Sequence, residues 1–135
     1  GRLGELKALY ERHGLRVGAM ALPVQFRQDE ETFQKDFAGL GRLAAAAAEM
    51  GCTRCATWLL PASDDLPFEE NFELHRRRLG ACATVLADHG LSLGLEFVGP
   101  KTSRDGKQYE FVYDMPGMLA LAGAGVVMFV RALPR

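Results

Sequence analysis

The sequence predicts an α/β fold built on a parallel sheet. Three observations carry that expectation: a recurring glycine junction, amphipathic stretches between the junctions, and a short apolar run directly after each glycine. His13-Gly14-Leu15-Arg16-Val17-Gly18 is echoed by His89-Gly90-Leu91-Ser92-Leu93-Gly94, with Met50-Gly51-Cys52-Thr53-Arg54-Cys55 in the equivalent place between them. Glycine most readily adopts the left-handed conformation that closes a helix, so each junction reads as helix, glycine, strand. The order αβαβαβαβ implies parallel strands joined by right-handed crossovers.

The elements follow in turn. Leu3 to His13 reads as a helix with Leu6, Leu9 and Tyr10 as candidate core residues, and a strand follows Gly14. From Asp29 to Met50, Phe33, Phe37, Leu40, Ala44 and Ala47 recur at three- and four-residue steps and form one apolar stripe, with Glu31, Lys35, Asp36 and Arg42 elsewhere. Ala56 to Leu60 is the second strand. From Pro67 to His89 the stripe is Phe68, Phe72, His75, Leu79, Cys82, Ala83 and Leu86, and Pro67 suits a helix start. Leu91 to Val98 is the third strand. Asp114, as N-cap, and Pro116 open a last helix to about Ala122, and Val126 to Val130 reads as a fourth strand. Two architectures satisfy this order: a flavodoxin-like doubly wound sheet, or part of a (β/α)8 barrel. The small residues Gly18 and Gly94 on one strand face suit a filled barrel interior.

At 135 residues the chain has single-domain size, and a net charge of -1 offers no electrostatic case for nucleic acid or an anionic membrane. Its apolar runs fall far short of the roughly 20 residues that span a bilayer, and no signal peptide is visible, so a cytoplasmic protein is expected. Cys52-Thr53-Arg54-Cys55 runs into a strand, and no second such pair completes a zinc site, so the three cysteines read as core thiols. Gly39-Leu40-Gly41-Arg42-Leu43-Ala44 matches a relaxed dinucleotide fingerprint but lies mid-helix, where it is expected to let the helix approach the sheet. Phosphate-loop, zincin and serine-hydrolase motifs are absent. His13 and His89 precede helix-closing glycines, His75 reads as a hydrogen-bonded core histidine, and Arg76-Arg77-Arg78 reads as a solvated helix face.

Glu96 stands out. In Leu91 to Val98 the odd positions Leu91, Leu93, Leu95 and Phe97 form an apolar face, which puts Glu96 on the other face with Ser92, Gly94 and Val98. A parallel strand is ordinarily covered on both sides, so the carboxylate is expected to be buried and to need a chemical reason. Gly99-Pro100 follows at once, placing Glu96 at the carboxyl end of its strand, where α/β folds build active sites.

The run Leu86-Ala87-Asp88-His89-Gly90-Leu91-Ser92-Leu93-Gly94-Leu95-Glu96-Phe97-Val98-Gly99-Pro100 resembles the sugar phosphate isomerase/epimerase family, the xylose isomerase-like TIM barrels. There a helix ends in glycine, a strand of the type L-x-L-x-L-E follows, and the acid is a divalent-metal ligand. The resemblance covers roughly Gly14 to Ala122, and Tyr109-Glu110-Phe111 and Asp114-Met115-Pro116-Gly117 look like the next loop and helix. It implies a partial (β/α)8 TIM barrel, about half a barrel with parallel strands and outer helices, forming one incomplete domain. It also implies a divalent metal (Mn, Mg, Co or Zn) at Glu96, proton transfer by carboxylates, and a small carbohydrate or sugar phosphate as substrate. Gln25, Trp58 and Lys101 are substrate-side candidates because they lie at or after the carboxyl ends of strands. The family's next strand ends in a metal-binding Asp, whereas here Val126 to Val130 leads to Arg131. The isolated chain is therefore expected to be inactive. The alternative is a non-catalytic module that self-associates through unpaired sheet edges, giving a homo-oligomer.

Overall fold

The computed structural model describes residues 1–126. Helix α1 spans Arg2–Arg12, α2 Glu30–Glu49, α3 Phe68–Asp88 and α4 Met115–Gly123. Strands β1 (Met20–Ala21), β2 (Arg54–Trp58) and β4 (Ser92–Glu96) form a parallel sheet in the order β1-β2-β4, while β3 (Ala62–Ser63) and β5 (Tyr109–Glu110) make a small antiparallel pair. The three parallel strands lie in chain order with no reversal. Cys55 and Leu93 of the sheet, and Leu59 directly after β2, share one core with Leu40 and Ala44 of α2 and Leu79, Cys82 and Leu86 of α3. A doubly wound sheet reverses its strand order and carries helices on both faces; sequential strands with helices on one face are instead an arc of a (β/α)8 barrel.

The helix ends behave as their glycines predict. Gly14, Gly51 and Gly90 all have positive φ, and Leu15, Cys52 and Leu91 each donate a backbone bond of 2.9 Å to the carbonyl five residues back, at Tyr10, Ala47 and Leu86. This is the Schellman arrangement, which satisfies carbonyls that the helix leaves open and turns the chain into the sheet. At the other ends, Asp29 accepts from the Thr32 amide at 2.8 Å and Asp114 from the Gly117 amide at 2.9 Å.

Several expectations are corrected. Only Met20 and Ala21 find ladder partners, so the first strand lies later than the residues straight after Gly14. Leu6 and Leu9 are more than two-fifths exposed and α1 buries no residue, because no described element covers its apolar stripe. Phe68 is likewise exposed, although its ring leans on Phe72 and Phe111. The glycine of the mid-helix fingerprint that meets anything is Gly41, which faces Val85 of α3 and His89 just past its end rather than the sheet. The expected strand from Val126 to Val130 lies outside the described residues beyond Val126 itself. Cys52, Cys55 and Cys82 are free and buried, as core thiols should be, and burial pushes Cys55 up to about 11 and Cys82 up to about 12.

Arg78 overturns the reading of its arginine run. It is 3% exposed and donates to the carbonyls of Phe26 at 2.9 Å and Gln28 at 2.6 Å and to the Glu30 carboxylate at 2.9 Å, with its guanidinium over the Phe33 ring. Arg77 also reaches Glu30, at 3.0 Å. The helix turns Arg78 inward, where its fork fastens the loop after β1 to α3.

Candidate active site

The carboxyl ends of β2 and β4 lie side by side, and their register pairs Trp58 with Glu96. Residues paired across a parallel ladder project from the same face, so both point away from α2 and α3. Two residues earlier on that face come Ala56 and Gly94, and Ala21 of β1 pairs with Ala56. The site therefore has a floor of small residues, with an indole and a carboxylate at its carboxyl-terminal rim. A Cβ added at Gly94 would meet Cys55 O at 3.7 Å and Ala56 Cβ at 4.0 Å, ordinary contacts, so lack of room does not demand that glycine.

Glu96 is exposed, contrary to the burial expected of it. The parallel-strand rule assumes cover on both faces. Among the described residues helices cover only one face, and β4 has a hydrogen-bonded neighbour only in β2. Glu96 forms no ion pair with Lys101 or Arg16 among the described residues. Trp58 is 48% exposed beside it.

Arg27, which sequence reasoning missed, holds Trp58 in place. Its guanidinium lies 4.5 Å from the Trp58 ring centroid and 4.4 Å from that of Phe26, and it donates to the Trp58 carbonyl. Partial burial draws its pKa down, yet a guanidinium stays charged. The available signal was position: Arg27 lies two residues beyond Gln25 in the same post-strand loop. Gln25 itself is exposed, and its backbone amide donates to Asp36 at 2.9 Å. Lys101 opens a short 3-10 turn, Lys101–Ser103, and is also exposed. The structure thus joins Trp58 to Glu96, and links neither Gln25 nor Lys101 to them by a hydrogen bond or ion pair among the described residues.

Beneath this rim lies His75. Its Nδ1 sits 2.8 Å from the Asn71 carbonyl, which only accepts, so Nδ1 carries the proton and Nε2 is left buried without a partner. The ring packs on Phe111 at 4.6 Å and edge-on to Phe26 at 5.6 Å. Burial lowers its pKa to about 4, and the nearby Arg27 and Arg78 charges act in the same direction. It is the hydrogen-bonded core histidine expected from its stripe. Among the described residues no group of three or more His, Cys, Asp or Glu converges to hold a metal ion.

The family profile described as xylose isomerase-like TIM barrel matches residues 1–126. The chain belongs to that family. Its fold matches that of a xylose isomerase domain protein from Alicyclobacillus acidocaldarius with a TM-score of 0.84 at 25% identity, over 93% of this chain and 44% of that one. A 3-keto-D-glucoside 4-epimerase from E. coli matches with a TM-score of 0.59 at 19% identity, over 72% of this chain and 41% of that one. A xylose isomerase-like TIM barrel protein from Mycobacterium smegmatis, in complex with magnesium, matches with a TM-score of 0.59 at 16% identity, over 90% of this chain and 42% of its own. This chain spans less than half the length of each of these three structures. No curated protein matches it. No helix among the described residues is long and apolar enough to cross a membrane.

Proposed function

We propose that this chain forms part of a sugar or sugar phosphate isomerase/epimerase-like barrel, in which the substrate lies against Trp58 with its reacting end at Glu96. The supporting observation is the registered Trp58 and Glu96 pair at the carboxyl end of a strand face that no described helix covers. An indole offers an apolar face to the C–H side of a sugar ring, and a carboxylate accepts hydroxyl protons and serves as a base. Glu96 supplies one oxygen-donor ligand of the kind hard divalent cations prefer. Among the described residues Glu96 has no partners that would complete a metal cage, and the chain by itself is inactive in this reading. Gln25 and Lys101 are secondary candidates on the loops that follow β1 and β4.

Trp58 is the single tryptophan, so its emission reports directly on the site. Titration with D-fructose in the presence of manganese should change Trp58 fluorescence, and Glu96→Gln should weaken the response by about tenfold, as expected for loss of a charge-assisted hydrogen bond. A response identical in Glu96→Gln would refute the role given to Glu96. Robust isomerisation by the purified chain would refute its inactivity. A second reading, self-association, is favoured by β1 and β4 each having one strand partner, β2, among the described residues, and by the exposed Leu6, Leu9 and Leu15. Sedimentation equilibrium decides it: a monomer at all concentrations would end that reading.

A further inference from the structure

Arg27 and Arg78 lie far apart in the chain and converge on the loop after β1. Arg78 projects from the middle of α3, is buried, and holds its guanidinium over the Phe33 ring at 4.8 Å. One of its nitrogens, Nη1, donates to the carbonyls of Phe26 at 2.9 Å and Gln28 at 2.6 Å, while Nη2 donates to the Glu30 carboxylate at 2.9 Å. Those two carbonyls flank Arg27. Pinning the peptide on both sides of a residue fixes its Cα, so Arg78 sets the direction in which the Arg27 side chain leaves the loop. Between Ala21 and Glu30 the chain has no helix or strand. Its internal backbone bonds are short turns, in which the Phe26 amide donates to the Val24 carbonyl at 2.9 Å and that of Gln28 to Gln25 at 3.2 Å. Such turns leave the loop's attitude toward the sheet open, and α3 supplies it through Arg78.

Arg27 carries that direction to the rim. Its guanidinium donates to the Trp58 carbonyl, lies 4.5 Å from the Trp58 ring centroid and rests at 4.4 Å on Phe26, a buried ring packed edge-on to His75 at 5.6 Å. β2 fixes the backbone of Trp58, but a half-exposed indole without a partner would turn about its two side-chain torsions. A planar guanidinium donates in its plane and stacks with its face at the same time, which neither an ammonium nor an aliphatic chain does. It also takes up one face of the indole, which leaves the opposite face to a ligand.

We infer that Arg78 and Arg27 act in series as positioning residues: Arg78 aims Arg27, and Arg27 holds the Trp58 indole so that a single face is presented at the rim. The functional consequence rests on the reading of Trp58 as the ring that faces the substrate. Trp58 is the single tryptophan, so acrylamide quenching of the ligand-free chain, with lifetimes measured alongside, reads the indole directly. Arg27→Met should raise the bimolecular quenching constant by about 1.5- to 2-fold, the room left by 48% exposure, and Arg27→Lys, which keeps the charge and loses the plane, should raise it nearly as far. A constant unchanged in Arg27→Met, or at the native value in Arg27→Lys, would overturn the role given to the guanidinium. Arg78→Lys should raise the constant in the native background and add less than about 1.2-fold in Arg27→Met, because the two act through one contact. Full additivity would overturn the series. If Arg78→Lys does not fold by circular dichroism, Glu30→Gln decides the same point, since Glu30 is exposed and the change removes the charge that holds one arm of the Arg78 fork. A rise in Glu30→Gln that disappears in the Arg27→Met background supports the series, and an unchanged constant overturns it. D-fructose with manganese separates this inference from the reading of the rim. In Arg27→Met the fluorescence response should need about threefold more D-fructose, because ordering the indole then falls on binding, and an unshifted response would overturn the functional consequence. The expected quenching pattern without any response of the native chain to D-fructose supports the series and counts against the rim.

Discussion

Acidification from pH 7 to pH 5 should destabilise this fold by about 2 kcal/mol, nearly all of it through His75. The imidazole is 5% exposed, its Nε2 has no partner, and protonation would place a cation between Arg27 and Arg78. Its pKa falls from 6.5 to about 4 in the fold, so between those values the unfolded chain binds the extra proton and the folded one does not. The contribution is complete above pH 6.5, is lost as the pH falls through this window, and totals about 3 kcal/mol at roughly 1.36 kcal/mol per pKa unit. About two-thirds of it is lost by pH 5. Glu30, held down to about 2 first by Arg77 and then by Gln34 and Arg78, titrates below its ordinary 4.5 and so acts at lower pH. Urea denaturation at the two pH values measures the difference. His75→Phe keeps an aromatic ring against Phe26 and Phe111 but removes the titrating group, and its stability should change by less than about 0.5 kcal/mol over the same interval. Equal stability of the native chain at both pH values would refute the burial argument. Undiminished pH dependence in His75→Phe would refute the assignment to His75.

Two further outcomes follow from local geometry. Arg78→Met should cost about 3–5 kcal/mol in urea denaturation, because it strips the Phe26 and Gln28 carbonyls and the Glu30 carboxylate of their shared donor; a loss below about 1 kcal/mol would contradict that role. Gly39→Ala and Gly90→Ala should have opposite signs although neither new Cβ meets a neighbour. The first lies within α2 and should stabilise by about 0.5–1 kcal/mol, whereas the second has φ +77° and should destabilise by about 1 kcal/mol, both read as shifts in Tm.

Local rules read well where a single residue governs a local conformation. Gly14, Gly51 and Gly90 closed their helices as expected, Asp114 capped its helix, and Leu93 fell on the core side of β4. The rules failed where the answer depended on what lies opposite. Leu6 and Leu9 carry a helical stripe yet face no described element, and Arg78, which helical spacing sets beside His75 and Cys82, is buried only because the Phe26 and Gln28 carbonyls and Glu30 lie opposite it. The β3–β5 pair joins two-residue segments from opposite ends of α3 and β4, too short for alternation to be visible. Of the candidate site, Glu96 and Trp58 were each legible alone, but their adjacency depends on register, and Arg27 depends on a loop folding back over the ring.

Sequence alone established the α/β order, the parallel strands and the position of Glu96 at a strand end, because glycine conformations and hydrophobic periods act within a few residues. The chain's fold determined the rest: which face of β4 the described helices cover, that Glu96 is open to solvent, and that Trp58 stands beside it. Each of these depends on contacts between residues far apart in the chain, and burial and charge balance are properties of the assembled neighbourhood rather than of any one segment.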